Sequence, residues 1–311
     1  MLTVGGGVTM WRVPVRHRAW IAAVAAICLM SGSALAQEPG APSGGSSLPP
    51  VTVTAQALRR SVNNYISKVS GAWVTSDDHP MARWRSPICP LVAGLPHTEG
   101  QAIFDRLADS MTSLGIRLGA QGCRPNFFVI VTTEPDALLK AWAHRDTRLF
   151  GGGYGSRQFL STPRPVRVWY NAELADADGR PASQFGIGDG SVFQGVPTFI
   201  IHGDTSPFFA FAVAPKLDSV VCVVDLMRMK GLNVNQVADY LVMAGLTQIN
   251  LDAELVEAPT ILRLFTASDE ARPAGLSTWD TAFLKAVYQT IQSDRHQRVE
   301  IAKRMMREVS R

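Results

Sequence analysis

The chain has 311 residues, 46% hydrophobic and 18% charged, an ordinary balance for a protein with a buried core. Its formal charge of +4 misleads: no acidic residue precedes position 37, and beyond it 27 basic residues stand against 26 acidic ones, a net +1. A body so close to neutral lacks the basic excess of a nucleic-acid-binding protein, and its length suits one large domain or two small ones.

Arg12, Arg16 and Arg18 lead into an apolar run over 19–30, and Ser33-Ala34-Leu35-Ala36 precedes Gln37. A charged start, a short apolar stretch and small residues at the end define a secretory signal peptide, 1–36, cut after Ala36. The run is too short to span a bilayer well, and no later segment is long enough. The expected location is therefore the periplasm or the exterior, with no transmembrane segment after cleavage. Residues 37–50, rich in Gly, Pro and Ser, read as a flexible linker. That leaves 51–311 as one folded domain.

Alternation at 51–54 predicts a first strand, and 57–69 a helix. Thr98 and Gln101 form a capping box for a helix over 98–114, with Ile103, Leu107, Met111 and Leu114 on one face. Aromatic and β-branched residues predict a strand at 126–132. Pro135 suits the first turn of a helix over 134–144, and 166–170 is a further strand. The Gly-rich stretch 184–206 is irregular, with a strand inside it at 198–202. Residues 208–213 are expected to pair as a hairpin with 217–226. From there the pattern is helical to the end. Mixed helices and strands followed by helices alone predict an α+β domain, a mixed sheet packed with helices.

Cys28 leaves with the signal. Cys89, in Pro87-Ile88-Cys89-Pro90, and Cys123, in Gly122-Cys123-Arg124-Pro125, occupy loop contexts; in an oxidising compartment they are expected to form a disulfide. Cys222 lies in an apolar strand and reads as a core residue. The histidines beyond the signal, His79, His97, His144, His202 and His296, each stand apart from any other His or Cys, so no metal-ligand set emerges. No G-x-S-x-G elbow is present. The glycines at 151–153 and 155 lack the Lys and the preceding strand of a phosphate loop. Asp176 and Asp178 lack the later ligands of a calcium loop. No catalytic residue, metal or cofactor is assigned. At the C-terminus, Val299, Ala302, Met305, Met306 and Val309 make an apolar face opposite Arg295, Arg298, Lys303, Arg304, Arg307 and Arg311. This reads as a terminal helix docked on the domain in preference to one lying on anionic lipid, because Glu300 and Glu308 dilute the charge.

Residues 219–288 combine a buried strand, a turn at Gly231, a helix capped by Asn233 with Gln236, then Pro259-Thr260-Ile261-Leu262, and finally Leu276-Ser277 with Asp280, Val287 and Tyr288. The order resembles the C-terminal half of the zincin metallopeptidases, in particular the metzincin-like branch and degenerate domains of that kind in secreted proteobacterial proteins. In such enzymes the helix carries two histidines one turn apart for Zn²⁺ and a glutamate as general base. Here those positions are Ala238, Val242 and Asp239. The resemblance therefore implies a zincin-like scaffold without its zinc ligands. The expected function is that of an exported envelope protein that binds a ligand or partner without catalysis. The alternative is a secreted, peptidase-like hydrolase whose site assembles from residues distant in the chain.

Overall fold

The computed structural model describes residues 55–70, 81–145, 159–175, 190–193, 196–199, 214–290 and 296–310. The expected signal peptide, linker and first strand at 51–54 lie outside them, as do 208–213 and the turns at 151–155 and 176–179.

The two most continuously apolar segments become the centre of the sheet. β3 (Phe127–Thr132) and β7 (Ala214–Asp225) pair in parallel, Phe127 opposite Val220 through Thr132 opposite Asp225. β2 (Pro90–Ala93) lies outside β3, again parallel. β1 (Arg83–Trp84) pairs in parallel with Lys216 and Leu217 of β7. β4 (Val166–Ala175) runs antiparallel along the other edge of β7, with a bulge between Asn171 and Ala172. The result is a mixed, mainly parallel five-stranded sheet. A separate antiparallel pair joins β5 (Gly190–Phe193) to β6 (Val196–Phe199).

Alternate residues of a strand face opposite sides of its sheet, and β7 uses both. Val220, Cys222 and Val224 enter the main core. Val221 and Val223 join a smaller cluster with Leu139, Phe159 and Trp169. On the main face, α2 (His97–Ser113) and α4 (Val234–Leu246) pack together. On the other lies α3 (Pro135–Arg145). Two glycines permit these close fits. Gly94, at φ 90°, turns the chain out of β2 where a Cβ would collide with the Val131 carbonyl, and Gly245 of α4 lies where a Cβ would overlap the Phe127 ring.

α1 (Ala55–Ser70), α5 (Thr278–Gln289) and α6 (Gln297–Val309) complete the core. Tyr65 of α1 meets the rings of Trp279 and Phe283 edge-on at 5.6 and 5.7 Å. No helix among the described residues is long and apolar enough to cross a membrane.

Several local expectations are corrected. Thr98 does not cap α2: Pro96 occupies that position at φ −55° and ψ 157°, with no side-chain cap. Thr98 is thereby drawn into the first turn, where helical dihedrals preclude a capping role, and Gln101 instead donates to Asp105 at 2.6 Å. Beyond its first turn α4 has no exposed face. Val237 to Leu246 are all buried, because the sheet, α2 and the C-terminal segments enclose it. On α6, Val299 is 53% exposed while Ile301 is buried beside Ala302 and Met305, which rotates the docked face. The Asn233–Gln236 capping box forms as expected. Cys89 and Cys123 form the expected disulfide.

Candidate functional site

α4 begins with Asn233 accepting from the Asn235 N–H at 2.8 Å, while Gln236 accepts from the Asn233 N–H at 2.9 Å. This fixes the helix register and so the positions singled out by sequence. Ala238 and Val242 are fully buried, and Asp239 is 1% exposed. The carboxylate of Asp239 has three donors. Arg106 of α2 reaches it through Nε at 2.7 Å and Nη2 at 2.9 Å. The Leu276 N–H adds a third bond to Oδ2 at 2.9 Å. Gly275 makes the approach possible, since a Cβ there would stand 2.5 Å from that oxygen. The bond to Asp239 in turn raises the Arg106 guanidinium above its ordinary value. A two-point guanidinium–carboxylate pair is among the strongest polar contacts, and here it ties α2, α4 and the 275–276 loop together. Asp239 is a structural clasp. Because Arg106 is 42% exposed and can be rehydrated, Asp239→Ala should cost about 1–3 kcal/mol, the scale of a stranded buried donor. Urea unfolding with an unchanged m-value would measure it.

The other resemblance residues gather around a second carboxylate. Asp280, fully buried, accepts from Tyr65 Oη at 2.9 Å and Thr260 Oγ1 at 2.5 Å on one oxygen. On the other it accepts from the Ile261 N–H at 2.8 Å and from the N–H and Oγ of Ser277, both at 2.9 Å. Asp280 also serves as the third residue of the capping box that Ser277 begins. Tyr288, at the far end of α5, donates to the Leu246 carbonyl at 2.6 Å. Both carboxylates are thus consumed in holding the interior.

An open hollow of about 610 Å³ lies on the other side of the sheet, at α3. Its described walls are Asp136, Lys140, Ala143 and His144 of α3, with Leu160 and Ser161 of the helical turn at 159–161. The spacing of 136, 140 and 144 puts all three side chains on one helix face. Arg167 of β4, only 2% exposed, binds two of the wall residues: Nη2 donates to the Asp136 carboxylate, and Nη1 donates to the Leu160 carbonyl at 3.1 Å. Its Nε has no partner among the described residues. Asp136 and His144 are eight residues apart, about 12 Å of helix rise, too far for the Asp–His bond of a catalytic triad.

Of the described histidines, His144 lines this hollow, and His97 and His296 lie at the N-terminal ends of α2 and α6; His79 and His202 lie outside the described residues. Among the described residues no three His, Cys, Asp or Glu side chains come together as a metal site. Cys222 is buried, and burial pushes its thiol above the ordinary range, the condition of an inert core cysteine. Sequence reasoning missed Arg106, Tyr65 and the Arg167 hollow. The i, i+4 spacing of Asp136, Lys140 and His144 was the one available signal for the last. No family model, curated protein or solved structure matches this chain.

Proposed function

We propose that the chain is an exported envelope protein that binds a ligand without transforming it, on a degenerate zincin-like scaffold. The observation that carries this reading is the state of Asp239. At the place of a general base it is clasped by Arg106 and Leu276, between buried Ala238 and Val242. A carboxylate whose oxygens are committed to a guanidinium and an amide is held as an ion-pair partner and is not free to serve as a general base. Binding then falls to the hollow at α3. Elemental analysis of the purified protein should find well under one equivalent of zinc, and chelator should leave its melting temperature unchanged. Stoichiometric zinc whose removal lowers that temperature would overturn the reading.

A hydrolytic reading has one observation in its favour: Ser161 and His144 line the same hollow. It requires Ser161→Ala to abolish hydrolysis of a peptide or ester library by the intact protein.

A further inference from the structure

Building on the reading of a binding protein, we infer that the hollow at α3 takes a small organic anion, a carboxylate with a short apolar body. The charge around it is unbalanced. Asp136 is the one carboxylate on its described walls, and that charge is matched by Arg167 beneath. Lys140 and His144 remain, and neither makes a hydrogen bond or ion pair with a described residue.

The residue that holds the wall is as informative as the wall itself. A buried guanidinium is costly unless all its donors are met, yet Arg167 Nε has no partner among the described residues while its other two nitrogens hold hollow residues. The exposed Asp136 carboxylate offsets Arg167, which leaves Lys140 as the unmatched charge on the described walls. Ala143 and Leu160 supply an apolar strip between the charges, and Leu160 continues into the cluster of Leu139, Phe159, Trp142 and Trp169. The volume falls within the range of small-molecule sites. Lys140 and His144 would hold the carboxylate, the Ala143–Leu160 strip would cover the apolar body, and Arg167 is a positioning residue that fixes Asp136 and the 159–161 turn.

The test is calorimetric titration of the purified protein with hexanoate, with hexanamide as its uncharged isostere and inorganic phosphate as a charge without an apolar body. Hexanoate should bind saturably, at least tenfold more tightly than either control. Lys140→Glu, with an unchanged melting temperature, should weaken hexanoate at least tenfold and leave hexanamide unaffected. No saturable hexanoate binding, or affinity indifferent to Lys140→Glu, would overturn the proposal. So would phosphate binding as tightly as hexanoate, which would remove the role of the apolar strip. Failure here in a protein free of zinc sinks the anion site alone. Stoichiometric, chelator-sensitive zinc sinks the non-catalytic reading and leaves the titration to stand by itself.

Discussion

Asp280→Ala should lower the unfolding free energy by roughly 3–5 kcal/mol, the scale of breaking a buried polar network. Five hydrogen bonds converge on this carboxylate, from α1, the 260–261 segment and the start of α5. Alanine would strand the N–H groups of Ile261 and Ser277, which have a fixed direction. The hydroxyls of Tyr65, Thr260 and Ser277 can turn. Asp280→Asn should therefore be far milder, within about 1.5 kcal/mol of the parent: its oxygen can serve the two amides while its NH₂ donates to the Tyr65 and Thr260 oxygens. Urea denaturation of the three chains measures the ranking, and equal losses for the two variants would contradict the donor geometry.

The same carboxyl has a pH signature. Burial raises it above its ordinary value, against the opposing bonds from Thr260, Ser277 and Ile261. The folded chain thus holds this proton to higher pH than the unfolded chain does. Its contribution is fully present below the ordinary value of about 3.9 and is lost as pH rises through the folded value. The stability of the parent relative to Asp280→Asn should be most favourable near pH 4 and decline toward neutrality. A difference that moved the other way would mean that the donors outweigh burial.

Removing the Cys89–Cys123 bridge is the second large effect. It closes a loop of sequence separation 34, which the chain-entropy model values at about 3–4 kcal/mol. Hydrogen bonds already hold the two sides: the Ile88 N–H donates to the Arg117 carbonyl at 2.9 Å, the Gly119 N–H to the Ile88 carbonyl at 2.8 Å, and the Cys89 N–H to Asn126 Oδ1 at 2.7 Å. The native arrangement of β2 and the 116–126 loop should survive, so the cost falls on the unfolded state. Cys89→Ala with Cys123→Ala should lower the unfolding free energy from urea denaturation by that amount while leaving the far-ultraviolet circular dichroism intact. Thiol titration of denatured, unreduced chain 37–311 should count one thiol, Cys222.

Local sequence was a good guide wherever the deciding interaction is local. The apolar runs of β3 and β7, the Pro135 start of α3 and the Asn233–Gln236 box each depend on neighbours within a turn or a strand. The reading weakened where a distant partner decides. Thr98 looked like a cap until Pro96 took the position. α4 is enclosed by segments distant in the chain, and the Phe127 ring lies where a Cβ at Gly245 would stand. Asp239 stood out as a departure from a catalytic pattern; its partner Arg106 lies 133 residues away, a separation that no spacing rule reaches. The hollow at α3 was equally hidden, because Arg167 comes to Asp136 from another strand.

Taken by itself, the amino-acid order determined the kinds of elements, the pairing of two loop cysteines and the absence of imidazoles at positions 238 and 242. Those follow from backbone preference, hydrophobic period and side-chain identity, all properties of short stretches. The three-dimensional packing alone decided what the charged groups do. Two carboxylates became internal clasps, while Lys140 and His144 were left facing a hollow whose wall is held by a buried guanidinium. Charge and burial act through space, and the distances that weigh them exist only once the chain has folded.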